Sequence, residues 1–298
     1  MAGDTADGNA SCLTGLPLVL AWGTVRAPFA ERVAAAAAGG FSSIGLMVRE
    51  YLALRRDGWT DEKLLGVLHR HGVSINEVEV LFGFAAPEGT VADVPERPGL
   101  VYHDPELERA AFHLADVFGV RNVQAAGTFA APPAADGVVD AFGSLCDRAA
   151  AHGLRVALEF VPYTDIPDIG TAAAIVRAAD RPNGGLCVDS WHFFRGKPDF
   201  EALTAVPAER IAMIQINDGP LTPDDPNRAY DAVHNRRLPG EGEFDLTGWL
   251  TAMARPGLDA TVSVEVYSDA LAEFGPAEAA SRALATTQEV LGRAVGAR

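Results

Sequence analysis

The chain has 298 residues, 48% hydrophobic and 21% charged, a globular composition of a length that one α/β barrel of about 250 residues fills. Forty acidic residues against 24 basic ones leave a formal charge of −16, and such a surface repels nucleic acid backbones and anionic lipid. Cys12, Cys146 and Cys187 are odd in number and lack metal-knuckle spacing, which suits a reducing compartment, by default the cytoplasm, better than a disulfide framework.

The first eleven residues are small, polar and acidic, without the basic and apolar regions of a signal peptide. Residues 1–13 are expected to be a disordered leader and 14–298 one domain. No apolar run reaches the roughly 18 residues of a membrane span. From residue 16 onward, short β-rich apolar runs alternate with longer segments rich in Ala, Leu and Arg. This is the pattern of repeated βα units. Strands are predicted over 16–23, 41–48, 74–82, 122–127, 155–161, 185–189, 211–217 and 261–266. Helices are predicted over 28–38, 61–71, 105–118, 134–152, 171–179, 200–206, 246–254 and 276–291. Gly39-Gly40, His71-Gly72, Phe118-Gly119 and His152-Gly153 put glycine where a helix ends before the next strand. Residues 87–98 and 221–237 read as long βα loops. A doubly wound sheet would want a Gly-rich phosphate turn after an early strand, and none occurs, so a single (β/α)8 TIM barrel is the expected fold.

In such a barrel the active site lies at the C-terminal ends of the strands, so a polar residue closing an apolar strand is a candidate. Four strands supply one: Glu159 in Val-Ala-Leu-Glu-Phe, Asp189 in Leu-Cys-Val-Asp, Gln215 in Met-Ile-Gln-Ile and Glu265 in Val-Ser-Val-Glu-Val. Three carboxylates converging on one mouth repel each other, and a divalent cation relieves that repulsion. The four oxygens make a hard donor set that suits Mn2+ or Mg2+ better than Zn2+. The bland alternatives are a buried arginine pairing with Glu159 and a Gln215 that only hydrogen-bonds a neighbouring ligand. His192, three residues after Asp189, titrates near neutrality and suits substrate binding and proton transfer. His234, Arg236 and Arg237 precede a Pro-Gly-Glu-Gly turn and are placed to close over a polyol or carboxylate, with Arg237 taken as a substrate ligand. Trp22, Glu79, Gln124 and Trp191 are candidate walls, of which Trp22 and Gln124 are assigned to substrate.

Five segments together resemble the xylose isomerase-like TIM barrel family. They are Ala157-Leu-Glu-Phe160, Val188-Asp-Ser-Trp-His192, Gln215-Ile-Asn-Asp218, Leu238-Pro-Gly-Glu-Gly-Glu-Phe-Asp245 and Ser263-Val-Glu265. The resemblance implies metal binding by Glu159, Asp189 and Glu265, with Gln215 standing where the family usually has His and Asn217 where Lys is common. It implies substrate contact by His192, a small carbohydrate or keto-polyol substrate, and a homo-oligomer. It further implies an isomerase or epimerase in which Glu159 and Glu265 take and return a proton beside a carbonyl that the cation polarises. The alternative is elimination by the same proton removal, as in a dehydratase of an inosose or dehydroshikimate or a lyase of a 3-keto-glycoside, with His192 as the leaving-group acid. A metal-free binding subunit is a third reading, in which Gln215 marks a lost site. Phosphodiester cleavage, known in the family, fits poorly with 7 histidines and a strongly acidic chain.

Overall fold

Residues 12–94, 99–129 and 137–296 are described by a computed structural model. Strands β1 (Leu18–Leu20), β2 (Ser43–Met47), β3 (Ser74–Phe82), β4 (Asn122–Ala126), β5 (Arg155–Glu159), β6 (Gly184–Asp189), β7 (Ile211–Ile216) and β8 (Thr261–Val264) run parallel in chain order. The last pairs back to the first, Leu18 opposite Val262 and Leu20 opposite Val264. The sheet therefore has no edge. All eight expected strands are present, most of them shorter than expected.

The eight expected helices are also present: α1 (Phe29–Gly39), α3 (Asp61–His71), α4 (Pro105–Phe118), α5 (Val138–Ala150), α6 (Ile169–Ala179), α8 (Phe200–Ala205), α10 (Leu246–Met253) and α12 (Pro276–Gly296). The expected start of α5 at residues 134–136, and residues 95–98 of the expected loop, lie outside the described residues. Among the expected glycine stops, Gly40, Gly72 and Gly119 are left-handed helix caps. Gly153 is left-handed too, but α5 ends at Ala150. Four short helices were not expected: α2 (Val48–Arg56), α7 (Ser190–Arg195), α9 (Arg228–His234) and α11 (Asp269–Ala272). Three of these are set by local caps, since Asp189, Asn227 and Ser268 each accept backbone N–H bonds from the turn that follows. They are too short to show a 3.6-residue period in sequence. The expected leader ends too late, because Leu13 is fully buried in the main core and its carbonyl accepts from Leu16 N–H; residues 1–11 lie outside the described residues.

The strand period of two sorts every side chain. Val156, Leu158, Leu186, Val188, Ile214, Val262 and Val264 join the large core shared with the helices. Their neighbours Ala157, Cys187 and Met213 belong to a separate small cluster inside the barrel. Polar side chains share the interior with them. Ser263 Oγ donates to Glu77, Asn122 Nδ2 donates to Thr261 Oγ1 at 3.5 Å, and Gln124 Nε2 donates to Gln215 Oε1 at 3.2 Å. Gly45 makes room for the acidic part of this column, because a Cβ there would lie 2.6 Å from Glu79 Oε1 and 3.1 Å from Glu77 Oε1. No helix among the described residues is long and apolar enough to cross a membrane.

The helix layer contributes the apolar burial. Phe142 of α5 is fully buried, with its ring 5.9 Å from that of Phe84. Phe142→Ala is expected to destabilise the fold by about 3–5 kcal/mol, read as a lower urea midpoint at unchanged slope.

Candidate metal centre

Register brings the predicted polar strand ends to one level. Ala126 of β4 lies opposite Glu159, Glu159 opposite Cys187, Asp189 opposite Gln215, and Gln215 opposite Ser263. Glu265 follows β8 directly and its N–H bonds to the Ile216 carbonyl. All four predicted ligands are buried and converge at the mouth of the barrel.

Asp189 is the most firmly held. Its Oδ1 accepts from Trp191 N–H at 2.7 Å and from Asn217 Nδ2 at 2.8 Å. Ser190 Oγ in turn fixes Asn217 by donating to its carbonyl and accepting from its N–H. This leaves Oδ2 facing Arg236 Nη1 at 3.1 Å and His192 Nε2 at 3.6 Å. The same imidazole nitrogen is 3.5 Å from Glu159 Oε1. Glu159, Asp189 and His192 each offer one ligand atom, and the three atoms lie within 4.8 Å of one another. Glu265 Oε2 accepts from Arg236 Nη1 at 2.7 Å, and its Oε1 accepts from Gln215 Nε2 at 3.0 Å. Gln215 is fully engaged, since its Oε1 also accepts from Gln124 and from the Cys187 thiol at 3.1 Å.

Electrostatics explains why the cluster wants a cation. Burial, then the Asp189 and Glu265 charges, push Glu159 well above the ordinary carboxylate range. Burial is also the first cause at Glu265, which rises to about 8 although Arg236 opposes it. Glu77 and Glu79 rise to about 8 for the same main reason. Burial also acts upward on Asp189, but Arg236, His192 and its hydrogen bonds outweigh it and the group stays below its ordinary value. Arg236 is 4% exposed and is the one guanidinium lining the pocket among the described residues. Burial first, and then mutual repulsion with one guanidinium to offset it, raises the proton affinity of every one of these carboxyls but Asp189. A buried site with several carboxylate oxygens, an imidazole and too little positive charge has the chemistry of a divalent metal site.

The cluster floors a cavity of about 520 Å³. Of the predicted substrate residues, Trp22, Gln124 and His192 line it, as do Glu79 and His234. Trp22 is held by its Nε1–H bond to Glu50 at 2.6 Å, and Arg32 pairs with the same carboxylate. Two expectations are corrected. Arg237 turns away: its side chain is 41% exposed and pairs with Asp224 at 3.3 Å, while its backbone exchanges hydrogen bonds with Asp218. Its neighbour Arg236 points inward, because adjacent residues of an extended segment face opposite ways. Trp191 is buried behind Arg236, 5.5 Å from its guanidinium, and is not part of the lining. The Pro-Gly-Glu-Gly turn is organised by Asp218, whose carboxylate accepts from the N–H groups of Gly219, Gly240 and Phe244. A Cβ on Gly242 would sit 2.2 Å from Asp218 Oδ1, so no other residue fits there. Phe82, Phe129, Tyr163, Tyr230 and Tyr267 also line the cavity and were not predicted. Phe82 is at a strand tip, Phe129, Tyr163 and Tyr267 are in βα loops and Tyr230 is on the short helix α9, none of them a stretch whose periodicity marks a side chain's direction.

The model of the xylose isomerase-like TIM barrel matches residues 33–290. The chain belongs to this family. Within it, the chain is 32% identical over 157 residues to the inosose isomerase of Bacillus subtilis, 52% of this chain and 55% of that protein. It is 33% identical over 137 residues to the 3-dehydroshikimate dehydratase of Pseudomonas aeruginosa, 44% of this chain but 21% of that protein. The match thus covers under two thirds of either relative. In fold it is similar to the IOLI protein solved with a zinc atom, with TM-score 0.78, 22% identity, and 93% and 98% of the two chains covered. It is also similar to D-allulose 3-epimerase from Methylomonas sp. in complex with D-allulose, with TM-score 0.66, 14% identity, and coverage of 92% and 96%. The inosose isomerase, the dehydratase and the epimerase among these are enzymes.

Two outcomes follow from the charge balance. Glu77, Glu79 and Glu265 keep their protons to about pH 8 in the folded chain, against an ordinary 4.5. Between these values the folded state binds more protons than the unfolded one, so stability falls as pH rises. The melting temperature of the cation-free protein is expected to drop from pH 5 to pH 8, with a shallower drop under saturating Mg2+ or Mn2+. Arg236→Met is expected to destabilise the cation-free protein at pH 8 by about 3–5 kcal/mol, and by less at pH 5, where Glu265 carries a proton; urea denaturation at the two pH values measures this.

Proposed function

We propose that the chain is a divalent-metal-dependent isomerase or epimerase that moves a proton at the carbon beside the carbonyl of a small polyhydroxylated ketone. Glu159, Asp189, Glu265 and the Gln215 amide would hold the cation, with His192 within reach. Reversing the Gln215 amide together with that of Gln124 keeps their mutual hydrogen bond and turns the Gln215 oxygen toward Glu265, giving up the Gln215 bonds with Glu265 Oε1 and the Cys187 thiol in exchange for a shared cation. When bound, the cation supplies Lewis-acid polarisation of the carbonyl, which acidifies the neighbouring C–H. Oxygen-rich donors favour Mn2+ or Mg2+, while His192 adds a nitrogen that also suits zinc.

The observation that carries the reading is the pair Glu159 and Glu265. Both are buried in one pocket, Glu159 at the end of β5 and Glu265 just beyond β8, with proton affinities raised by burial. A carboxylate with raised affinity is a better base, and two of them allow removal and return of a proton from different directions. Return to the same carbon inverts a stereocentre; return next to it moves the carbonyl. His192, 3.5 Å from Glu159, is placed to shuttle a proton to a substrate oxygen. The same position serves a leaving hydroxyl, which is the basis of a second reading, elimination, and the likeness to a dehydratase favours it.

Incubation with an inosose, a ketohexose and 3-dehydroshikimate in deuterated water with Mn2+ or Mg2+ tests this. Deuterium is expected beside the carbonyl of at least one of them. Glu159→Gln and Glu265→Gln should each slow exchange by about 10²–10⁴-fold, and a chelator should stop it. An intact skeleton with changed stereochemistry or carbonyl position marks the isomerase, whereas an unsaturated product marks elimination. Undiminished turnover after complete chelation defeats both.

A further inference from the structure

The pocket has two unlike sides. Glu159 faces it from β5, His192 from α7, Arg236 from the segment after β7 and Glu265 from just beyond β8, whereas Phe82 faces it from the tip of β3, Phe129 from the loop after β4, and Val161 and Tyr163 from the loop after β5. The aromatic rings form a row. Phe82 and Phe129 have centroids 5.2 Å apart, Phe129 and Tyr163 stack at 6.0 Å and 16°, and Tyr163 meets His192 edge-on at 6.1 Å and 83°. The apolar side therefore runs up to the imidazole of the polar side.

This wall is built into the loops. Phe129 N–H donates to the Tyr102 hydroxyl at 3.0 Å, Phe129 bridges Thr164 in antiparallel fashion, and His103 N–H donates to the Phe82 carbonyl at 3.0 Å. Leu100, Tyr102, Phe129 and Val161 pack as an apolar cluster of their own. A ring with hydroxyls around its whole rim fits this poorly, because a hydroxyl turned to Phe82, Phe129 or Val161 loses water without gaining a partner. The C–H face of one sugar ring covers one aromatic side chain, not a row of three. The cavity of about 520 Å³ also lies well inside the range that holds drug-sized ligands.

We propose that the Phe82, Phe129, Val161 and Tyr163 wall is a subsite for a flat apolar substituent, so that the substrate is a hydroxy-ketone ring carrying an aryl or similarly flat group. The inference rests on the ketone chemistry proposed for the same pocket. It makes the aromatic row the specificity element, with discrimination arising from desolvation of hydroxyls on one side and burial of carbon on the other.

The test compares the position isomers of an O-benzyl inosose with their O-methyl counterparts, using calorimetric binding in saturating Mg2+ and deuterium exchange as separate readouts. At least one benzyl isomer is expected to bind about tenfold or more tightly than its methyl partner. Phe129→Ala and, separately, Tyr163→Ala are expected to shrink that ratio, and either variant suffices should the other fail to fold. Equal binding of benzyl and methyl isomers, or a ratio that both variants leave unchanged, overturns the subsite, and deuterium exchange in the same samples would leave the ketone chemistry standing. Selective benzyl binding lost in the variants, without deuterium exchange from any ketone, sustains the subsite and removes the proposed chemistry.

Discussion

Too many carboxyl groups for the positive charge available is the condition on which the site depends. Glu159, Asp189 and Glu265 reach one level of the barrel, Glu77 and Glu79 are near enough to act on Glu265, and Arg236 is shared between Asp189 and Glu265. Low dielectric makes both the repulsion and the pairing stronger than they would be in water. The surrounding structure tolerates this by spreading the cost: Asn217 and the Trp191 N–H hold one oxygen of Asp189, and Gln215 holds one of Glu265. Each of those helpers leaves the other carboxylate oxygen turned to the common centre.

The barrel and its acidic residues were legible in sequence for a specific reason. A parallel strand buried on both faces reads as a continuous apolar run, so Glu159, Asp189 and Glu265 stand out as exceptions at its end. Helix caps and glycine stops supplied most of the boundaries. What was not legible lies where the chain leaves its period. Arg236 and Arg237 are chemically alike and adjacent, and the side each faces is decided by backbone pairing with Asp218, which no local pattern encodes. Trp191 looked like a wall and is instead the backing for Arg236. The row from Phe82 to Tyr163 is assembled from three βα segments far apart in sequence, so its existence is a fact of the closed barrel.

The loop after β7 shows how a surface excursion becomes part of a buried site. Residues between Asn217 and Leu238 leave the barrel, form α9 and return, and the return is pinned by Asp218 and by the hydrogen bond from Arg236 N–H to the Tyr267 carbonyl. Arg195, with its guanidinium 4.3 Å from the Trp191 ring, pairs with Asp231 of α9 at 3.3 Å and ties the excursion to α7. The guanidinium at the centre is thus delivered by a loop whose far end rests on the neighbouring strand's helix.

The polar column inside the barrel carries a consequence for how such a protein changes over time. Ser263 with Glu77, Asn122 with Thr261, and Gln124 with Gln215 are partners drawn from different strands. In the first two pairs all four side chains are fully buried, so losing one member strands the other in a place that water does not reach. Replacements at these positions are therefore tolerated in matched pairs, and the order in which they arise matters. A new chemistry in this barrel is reached more readily by altering the loops around its rim than by rewriting its centre.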